Sequence, residues 1–347
     1  MGNALSATVV QAGGCRSCAA GPHGLRTGSL ATMPNAKVAV IVLHWNNYAD
    51  TRDCLESLRD ATYTDLMMVV VDNSSTNDSV DRLRAEFPQA HFVMNPANYG
   101  FAKGNNEGIR YALEHDADYV LLLNNDTIVS PDFLEPLVRT AASADRVGAI
   151  SGTIYDYDRE TGPTRRIYYA GAELSRWRGM GIIARYGQID EEPEQSVTEV
   201  SHVSGCSMLI PRSVLDDIGL LDEQFYFGVE DADFCWRLLD SHYKLYYVPD
   251  SVLWHKRSGS RSFTPDEFYH GYISKCLLMY KHLPPLLWAG WYVIYAVRTL
   301  LFSGRIVAYL QRKHQLKSDQ AQAMQQAIRR AIVAAGKGDF ESPLKSY

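Results

Sequence analysis

Apolar residues along the first part of the chain form short continuous runs that alternate with segments of helical spacing. Residues 38–43, 67–71 and 119–123 are β-rich apolar runs, as expected for strands buried on both faces of a parallel sheet. Helical segments at 50–60, 80–87 and 105–115 and a short strand at 91–94 complete the alternation. Short connections between strands and helices indicate βαβ units. The sequence therefore predicts an α/β fold with a mainly parallel, Rossmann-like mixed sheet flanked by helices.

The remaining segments are less regular, and they suggest where the chain divides. Strand-like stretches occur at 148–154 and 203–210, residues 159–166 and 190–199 have the composition of exposed loops, and 315–335 is a polar helix. Residues 1–36 are predicted to be a disordered extension or a leader, with Met33 as an alternative start. Cys15 and Cys18 within it form an isolated C-x-x-C pair that predicts neither a zinc nor a redox site. The α/β domain is then expected over 37–281 and a C-terminal helical region over 282–347.

An apolar and aromatic stretch opens the C-terminal region. Residues 284–297 are apolar for 14 positions before Arg298, which is shorter than the ~20 residues of a membrane-spanning helix. Arg298, Arg305 and Arg312 follow at intervals of seven and fall on one helical face. Tryptophan and tyrosine, the residues favoured at headgroup depth, are frequent here. These features predict a helix in the membrane interface; the alternative is a helix packed on the α/β domain or on a second copy of the chain.

Charge and cysteine content narrow the range of partners. The net charge is −6, with 34 basic and 40 acidic residues, which argues against binding nucleic acid through its phosphates. A small phosphorylated ligand remains compatible, since one metal and a few donors neutralise it locally. The six cysteines are spread through the chain rather than densely spaced, which favours a reducing, cytosolic setting.

Polar residues follow three of the predicted strands directly. His44 to Asn47, Asp72 to Thr76 and Asn124 to Asp126 lie where ligands gather in open α/β sheets, at the carboxyl ends of the strands. Asp126 is a candidate ligand of Mg²⁺ or Mn²⁺, although Asn-Asn-Asp is also good turn chemistry. Asp72 is a candidate for binding a base or ribose, the alternative being an N-cap.

Three further segments carry candidate chemistry. Residues 98–106 form a glycine-containing loop that enters a helix, and its free amides could face a phosphate. Three carboxylates lie within four residues, at Glu230, Asp231 and Asp233. Such a cluster is typical of a general base or, alternatively, of a capped helix start. His255 is a candidate Mn²⁺ ligand or a structural histidine, and the following Lys256 and Arg257 would suit a diphosphate.

Taken in order, five motifs resemble those of family 2 inverting glycosyltransferases of the GT-A fold, particularly the bacterial rhamnosyltransferase-like branch. The motifs are V-x-V-x-H-W-N-N-Y at 40–48, V-V-V-D-N-S-S at 69–75, N-x-G-F-A-x-G-N-N at 98–106, L-L-N-N-D at 122–126 and G-V-E-D-A-D-F-C-W-R at 228–237. The resemblance covers about residues 37–281.

The resemblance implies a role for each motif. Asp231 corresponds to the catalytic base, with Glu230 as its neighbour, and Asn124-Asn125-Asp126 corresponds to the D-x-D motif. Because Asn124 stands where the first acid is usual, Asp126 and His255 are left as the expected metal ligands. The implied donor site is His44, Trp45, Asn46, Asp72, Asn73, Ser74, Asn98, Gly100, Phe101, Lys103, Gly104, Asn105, Asn124, Asn125 and Asp126. We expect Gly205, Cys206, Asp233 and Trp254 on the acceptor side.

The function implied by the resemblance is transfer of a sugar, with inversion, from a nucleotide-diphosphate sugar to a hydroxyl of a glycan or polyprenyl-linked acceptor in cell-surface polysaccharide synthesis. The branch favours dTDP-rhamnose as the donor and a divalent cation, Mg²⁺ or Mn²⁺, as the cofactor. The alternatives are a UDP-sugar donor and a non-catalytic nucleotide-sugar-binding protein on the same fold. The expected location is the cytoplasm, at the inner face of the cell membrane, with peripheral membrane contact or a homodimer through the C-terminal helices.

Overall fold

The computed structural model describes residues 36–183, 185–257, 264–314 and 316–340. The predicted extension at 1–36, with its Cys15–Cys18 pair, lies outside the described residues except for Ala36.

Helices and strands alternate through the first third of the chain, as the apolar pattern predicts. The elements there are β1 Val38–His44, α1 Tyr48–Arg59, β2 Leu66–Asp72, α2 Ser79–Glu86, β3 His91–Met94, α3 Gly100–Glu114, β4 Tyr119–Asn124, β5 Thr127–Val129 and α4 Leu134–Ser143. They are followed by β6 Val147–Asp158, β7 Gly162–Tyr169, β8 Glu173–Ser175, β9 Met180–Ile182, β10 Thr198–Val200, β11 Ser207–Pro211, α5 Arg212–Ile218, α6 Glu230–Asp240 and β12 Lys244–His255. The C-terminal helices are α7 Pro265–His282, α8 Pro285–His314 and α9 Ser318–Gly336.

The main sheet has the order β10-β12-β6-β11-β4-β1-β2-β3, with β5 paired to β12 and β7 paired to β6. Strands β3, β2, β1 and β4 are parallel, and β11 runs antiparallel between β4 and β6. Because β6 and β12 are parallel to one another and β11 opposes β6 as well as β4, the carboxyl ends of β1, β2, β4, β6 and β12 share one edge. The predicted mixed, mainly parallel α/β fold is confirmed.

Helix α3 lies very close to the sheet because glycines face it. A Cβ on Gly108 would lie 2.5 Å from Cγ2 of Ile41, and one on Gly104 would lie 2.8 Å from Cδ1 of Leu43. Real Cβ atoms do not approach other atoms so closely, so a side chain at either position would push the helix off β1. These glycines therefore allow α3 to pack closely against the sheet.

Two segments differ from their predicted structure. Helix α3 begins at Gly100 rather than at residue 105, so most of the predicted glycine loop is helical. Residues 162–166, the larger part of the loop predicted at 159–166, belong to the strand β7, which runs to Tyr169. Its first half is polar because it is exposed, and only Ile167 and Tyr169 are buried. An outer strand with one solvated face lacks the continuous apolar run that marks the inner strands.

The three C-terminal helices build a second apolar core, in which Trp236 and α7 residues such as Phe268 and Cys276 pack with Met324 and Ile328 of α9. The C-terminal helical region is thus confirmed. Helix α8 continues through Arg298, so the expectation that its apolar stretch is too short to span a membrane is wrong for the helix as a whole. Within residues 285–313, a window of 18 residues reaches a mean hydropathy of 1.4, so the helix is long and apolar enough to cross a membrane, judged by length and composition alone.

Candidate active site

Asp126 and His255 are brought together at the carboxyl edge of the sheet by the pairing of β5 with β12. Residues 125 and 126 form the turn between β4 and β5, and the antiparallel register sets His255 opposite Thr127. The Lys256 amide donates to the Asp126 carbonyl at 2.8 Å, which extends this pairing beyond the strands. As a result, Nε2 of His255 lies 3.0 Å from Oδ1 of Asp126, and both side chains are buried.

The electrostatics of this pair favour a protonated imidazole, which would have to lose its proton before it could ligate a metal. Burial opposes a charge on the imidazole, but the adjacent Cys206 and Asp126 outweigh it and raise the pKa of His255 well above its usual value. The other ring nitrogen, Nδ1, is buried and has no hydrogen-bond partner in the described part of the chain. A buried carboxylate beside an imidazole nitrogen fits a metal-binding pair, since Mn²⁺ accepts both ligand types. Among the described residues no group of three or more His, Cys, Asp or Glu side chains is arranged around a metal position, so phosphate or water oxygens must complete such a site.

The two asparagines before Asp126 have structural contacts. The backbone N–H of Asn124 donates to the backbone carbonyl of Cys206 at 3.0 Å. The side-chain Nδ2 of Asn125 donates to Oγ1 of Thr51 at 2.8 Å. The tripeptide therefore forms the turn that its composition allows, and the same turn directs the Asp126 carboxylate to His255.

Asp231 lies in the first turn of α6, directly after a strained backbone segment. Val229 has φ 65°, a left-handed conformation that is rare for a β-branched residue, and Gly228 before it has φ 84°. Oδ2 of Asp231 accepts from the Gly205 amide at 3.1 Å, and Oδ1 accepts from the Ala232 amide at 2.8 Å. Backbone strain at functional sites is common, because the surrounding structure holds a catalytic group where relaxed geometry would not.

Glu230 and Asp231 differ in their expected charge although they are neighbours. Burial and the charge of Asp231 raise the pKa of Glu230 to about 8, and its Oε2 has no hydrogen-bond partner among the residues described. Burial also opposes ionisation of Asp231, but His202 and the amides of Gly205 and Ala232 lower the pKa of Asp231 below its usual value. At neutral pH Glu230 is therefore protonated, and Asp231 is the carboxylate that can accept a proton.

The segment from Gly205 to Cys206 connects Asp231 with the metal-binding candidates. Gly205 donates to Asp231, while the Cys206 carbonyl accepts from Asn124, two residues before Asp126. A Cβ on Gly205 would lie 3.3 Å from Cβ of Asp231, so the absence of a side chain gives the carboxylate its room. The two candidate chemical groups are thus joined by a short hydrogen-bonded path.

Two of the expected acceptor-side residues have structural partners. The Asp233 carboxylate is buried and paired at both oxygens, with Nε of Arg237 at 2.9 Å and Nε2 of His282 at 2.8 Å. These contacts tie α6 to α7, so we assign Asp233 a structural role in place of the expected acceptor contact. The Trp254 indole nitrogen donates to the carbonyl of Thr164 at 3.0 Å and links β12 to β7.

His44 does not line a ligand pocket, contrary to the expectation. It is fully buried, with Nδ1 2.8 Å from Oγ1 of Thr51 and Nε2 2.8 Å from Oγ of Ser79. Burial lowers the pKa of His44 to about 4 despite the opposing charge of Asp72. The neutral imidazole hydrogen-bonds to one hydroxyl on α1 and to another on α2, and so connects both helices to the end of β1.

The loops after β1 and β2 fold onto each other beside His44. The Asn46 amide donates to Oγ of Ser75 at 2.9 Å, and both Asn46 (φ 57°) and Ser74 (φ 62°) are left-handed. The Asp72 side chain is buried, and its carboxylate accepts a hydrogen bond from the backbone N–H of Ser75. This bond stabilises the turn after β2. Trp45 is 51% exposed at the same edge, so its aromatic ring is accessible there.

The start of α3 is held by side chains rather than left open. Asn73 is buried: its Nδ2 donates to Oδ1 of Asn98 at 2.8 Å and its Oδ1 accepts from the Tyr99 amide at 2.9 Å. The Gly100 amide donates to Asn98 and the Phe101 amide to the Tyr226 carbonyl. The expectation of free amides facing a phosphate is therefore wrong for these two residues.

Two further donor-site residues of this segment have contacts within it. The Asn105 side chain donates to the Phe101 carbonyl at 2.9 Å, and Nζ of Lys103 lies 3.9 Å from the centre of the Tyr99 ring. Lys103 is partly exposed, so its charge remains accessible.

The cations that follow His255 are not equivalent. Lys256 is buried and its ammonium pairs with Asp53 and, at 3.5 Å, with Asp50, so the suggestion that it binds a diphosphate is not supported. Arg257 is partly exposed and lies over the Tyr168 ring.

Sequence reasoning missed Arg159 and His202. Arg159 projects from the β6–β7 turn and pairs with Asp50 at 2.8 Å. His202 lies 3.7 Å from Asp231. A lone basic residue outside a motif gives no local signal, so only the folded chain could identify either one.

Comparison with known proteins identifies the family. The model of the family described as glycosyl transferase family 2 matches residues 39–219, just over half of the chain. The chain belongs to glycosyl transferase family 2. It therefore contains a glycosyltransferase domain, as the five motifs predict.

Curated relatives with related activities are similar over the same region. The low-salt glycan biosynthesis hexosyltransferase Agl10 of Haloferax volcanii is 28% identical over 58% of this chain and 61% of its own length. The N-acetylglucosaminyl-diphospho-decaprenol L-rhamnosyltransferase of Mycobacterium tuberculosis is 26% identical over 61% of this chain and 73% of its own. The dTDP-rhamnosyl transferase RfbF of Shigella flexneri is 23% identical over 64% of this chain and 69% of its own. The chain thus spans less than two thirds of the length of the first of these relatives.

A solved structure shares the fold. The glycosyltransferase GalNAc-T7, crystallised with UDP, GalNAc and Mn²⁺, is similar over 86% of this chain and 55% of its own length, with a TM-score of 0.54 and 14% identity. At this identity the likeness concerns the fold alone, and it confirms the predicted GT-A architecture.

Proposed function

We propose that this glycosyltransferase inverts the configuration of the sugar it transfers and uses Asp231 as its base. Asp231 takes the proton of an acceptor hydroxyl, the hydroxyl oxygen forms a bond to the anomeric carbon, and the bond from that carbon to the diphosphate oxygen breaks on the opposite face. The carrying observation is the ionised Asp231 joined through Gly205 and Cys206 to the turn that holds Asp126. The other candidate carboxyl, Glu230, is protonated at neutral pH and is not available as the base.

Asp126 and His255 would hold a divalent cation, Mg²⁺ or Mn²⁺, together with phosphate oxygens of the donor. When bound, the cation supplies Lewis-acid stabilisation of the charge that develops on the leaving diphosphate. The support is the buried carboxylate–imidazole pair at 3.0 Å and the buried Nδ1 of His255. Arg159 and Arg257 add positive charge at the same edge of the sheet.

We propose dTDP-rhamnose as the donor and a glycan or polyprenyl-linked hydroxyl as the acceptor. The support is the presence of two enzymes named rhamnosyltransferases among the relatives, one of which is named for a diphospho-decaprenol acceptor. The Asn46–Ser75 loops with the exposed Trp45 offer a surface for the nucleoside; Ser74 belongs to it, and the buried Asp72 holds the turn beneath it. A UDP-sugar donor is the alternative.

The test measures nucleotide release from dTDP-rhamnose, UDP-glucose, UDP-GlcNAc and GDP-mannose, with Mn²⁺ or Mg²⁺ and N-acetylglucosaminyl-diphospho-decaprenol as the acceptor probe. We expect turnover with dTDP-rhamnose and a loss of roughly 10²- to 10⁴-fold in kcat for Asp231→Asn, the usual size of a general-base contribution. The neighbouring Glu230→Gln is the matched control, because an amide mimics the protonated acid, and it should keep most of its activity.

Two outcomes would contradict parts of this proposal. Full activity of Asp231→Asn would remove Asp231 as the base. Tight nucleotide-sugar binding in a thermal-shift titration, with no turnover or hydrolysis of any donor, would favour the alternative of a non-catalytic nucleotide-sugar-binding protein.

We also propose that helix α8 rests on the inner face of the cell membrane, where a lipid-linked acceptor would be presented to a cytoplasmic enzyme. Seven large apolar residues recur at helical spacing on its exposed side: Leu286, Leu287, Val293, Ile294, Val297, Leu300 and Leu301. Leu286 is 89% exposed and Leu301 is 71% exposed. Arg298 and Arg305 are exposed along one flank of this surface, where they would meet anionic headgroups.

Sedimentation with vesicles of phosphatidylglycerol and phosphatidylcholine tests this contact. Leu301→Asp should reduce vesicle binding at least several-fold without affecting thermal stability, since its side chain is already in solvent. Val333→Asp is the control, because Val333 is also exposed but lies on α9, outside the apolar surface. Equal vesicle binding by all three proteins, or a dimer in solution that Leu301→Asp dissociates, would replace the membrane with a second copy of the chain as the partner of α8.

A further inference from the structure

A histidine that no motif includes lies beside the proposed base. Nε2 of His202 is 3.7 Å from Oδ1 of Asp231. The distance is beyond a normal hydrogen bond, but catalytic contacts are often long before the substrate binds and shorten afterwards. The imidazole is buried, and its Nδ1 has no hydrogen-bond partner within the described ranges. Nε2 is therefore the ring nitrogen that faces a polar group, the carboxylate of Asp231.

The chain around His202 holds the imidazole in this place. The His202 amide donates to the carbonyl of Ala172 at 3.1 Å, and its carbonyl accepts from the Tyr169 hydroxyl at 2.8 Å. On the side away from Asp231, a Cβ at Gly181 would lie 2.4 Å from Nδ1. The ring thus occupies space that Gly181 leaves open, and it cannot move back from the carboxylate without meeting the β8–β9 hairpin.

The same segment is attached to α6 at two positions, Asp231 and Cys235. The Gly205 amide donates to Asp231, and the Val203 amide donates to Sγ of Cys235, one turn further along the helix. These contacts fix the distance between His202 and the start of α6, so their approach does not depend on a flexible side chain.

The titratable groups that face Asp231 come from three elements. Glu230 and Cys235 belong to α6 itself, His202 comes from the segment before β11, and Tyr169, whose ionisation the charge of Asp231 opposes, comes from β7. Among these groups, His202 is the one whose side chain can both donate a hydrogen bond to Asp231 and, when protonated, carry a positive charge. Glu230 acts in the opposite direction, since two adjacent carboxylates repel.

We propose that His202 is a positioning residue for the base: its Nε2–H donates to Oδ1 of Asp231 and decides that Asp231, rather than Glu230, carries the negative charge of the pair. Because two adjacent carboxylates repel each other, the state in which only one of the two is ionised is favoured. Two backbone amides and His202 favour Asp231, whereas Glu230 has only its own backbone surroundings. His202 takes no proton in the reaction. It holds the carboxylate ionised and correctly oriented until the acceptor hydroxyl arrives, so the inference rests on the proposed role of Asp231.

The experiment compares His202→Phe with His202→Gln, because phenylalanine removes the donor and the glutamine amide restores one. With the donor that gives turnover, His202→Phe should lower kcat about 10-fold with KM nearly unchanged, and should move the acid limb of the pH profile up by about one unit. His202→Gln should recover much of both. Tyr169→Phe is the control, since it loses the bond to the His202 carbonyl but leaves the imidazole in place; it should not move the pH profile.

A readout that needs no substrate accompanies the kinetics. The difference in Tm between His202→Gln and His202→Phe should widen as pH rises from about 4 to 7, because only the phenylalanine variant leaves the ionising Asp231 without a side-chain donor beside its two backbone amides. A pH-independent difference, together with unchanged pH profiles, would overturn the proposal for His202. If Asp231→Asn is itself fully active, the base assignment fails first. If Asp231→Asn is inactive and the two His202 variants behave alike, only the present inference fails.

Discussion

The buried acid Glu230 should make the stability of this protein fall as pH rises through neutrality. Burial and the charge of Asp231 raise its pKa from the ordinary 4.5 to about 8. The sign follows from proton binding: between these values the folded state keeps the proton that the unfolded chain has lost, so the free energy of unfolding decreases with pH. Each unit of pKa difference corresponds to about 1.4 kcal/mol, so the decrease from pH 5 to pH 8 is on the order of 3 kcal/mol. This should lower Tm by several degrees.

Glu230→Gln isolates this effect, because the amide keeps the shape of the protonated acid and cannot ionise. Thermal unfolding at pH 5, 6, 7 and 8 should show the variant close to the wild type at pH 5 and progressively more stable above it. Glu192→Gln, at an exposed position, is the control and should follow the wild type at every pH. A constant difference between Glu230→Gln and the wild type across this range, or a wild type that gains stability relative to the variant at pH 8, would refute the reasoning.

Three further substitutions test the assignments of packing and site residues. His44→Leu removes the imidazole partner of the buried Ser79 hydroxyl, whereas Thr51 keeps its bonds to Asn47 and Asn125, and it should cost about 1 to 3 kcal/mol in chemical unfolding, with little change in donor KM for the molecules that remain folded. Gly108→Ala places a Cβ 2.5 Å from a methyl of Ile41 and should cost about 1 to 3 kcal/mol in the same assay. Gly205→Ala places a Cβ 3.3 Å from that of Asp231, so kcat should fall roughly 10-fold in steady-state assays while Tm changes little.

The parallel half of the sheet could be predicted from the sequence because its strands are buried on both faces. The runs of β1, β2 and β4 are continuous, and no other element of that length has such a composition. The start of α3 could not be predicted in the same way. Gly100 has φ 73°, and a Cβ there would lie 2.3 Å from the Tyr226 carbonyl, so a contact with a distant segment decides where the helix begins.

The candidate site was predictable only as far as position along a strand determines position in space. Asp126 follows β4 and lies at the carboxyl edge of the sheet, the position that the order of the sequence predicts. His44 ends β1 but points between α1 and α2, because successive strand residues face opposite sides of the sheet and position alone does not say which. The contact of Asp126 with His255 joins residues 129 positions apart through a strand pairing that no local pattern encodes.

The charges at the start of α6 explain how two adjacent acids can serve one reaction that involves an anionic donor. A second ionised carboxylate beside Asp231 would repel the donor's diphosphate and would also raise the proton affinity of the base. Burial keeps Glu230 neutral at physiological pH, so α6 presents one negative charge where one is needed. The partners of Asp231 are two backbone amides and the imidazole of His202, which lower its proton affinity without adding a competing acid. In the proposed mechanism the site thus combines a single ionised carboxylate on α6 with a separate carboxylate–imidazole pair at the start of β5 and the end of β12, and the Gly205–Cys206 segment connects the two.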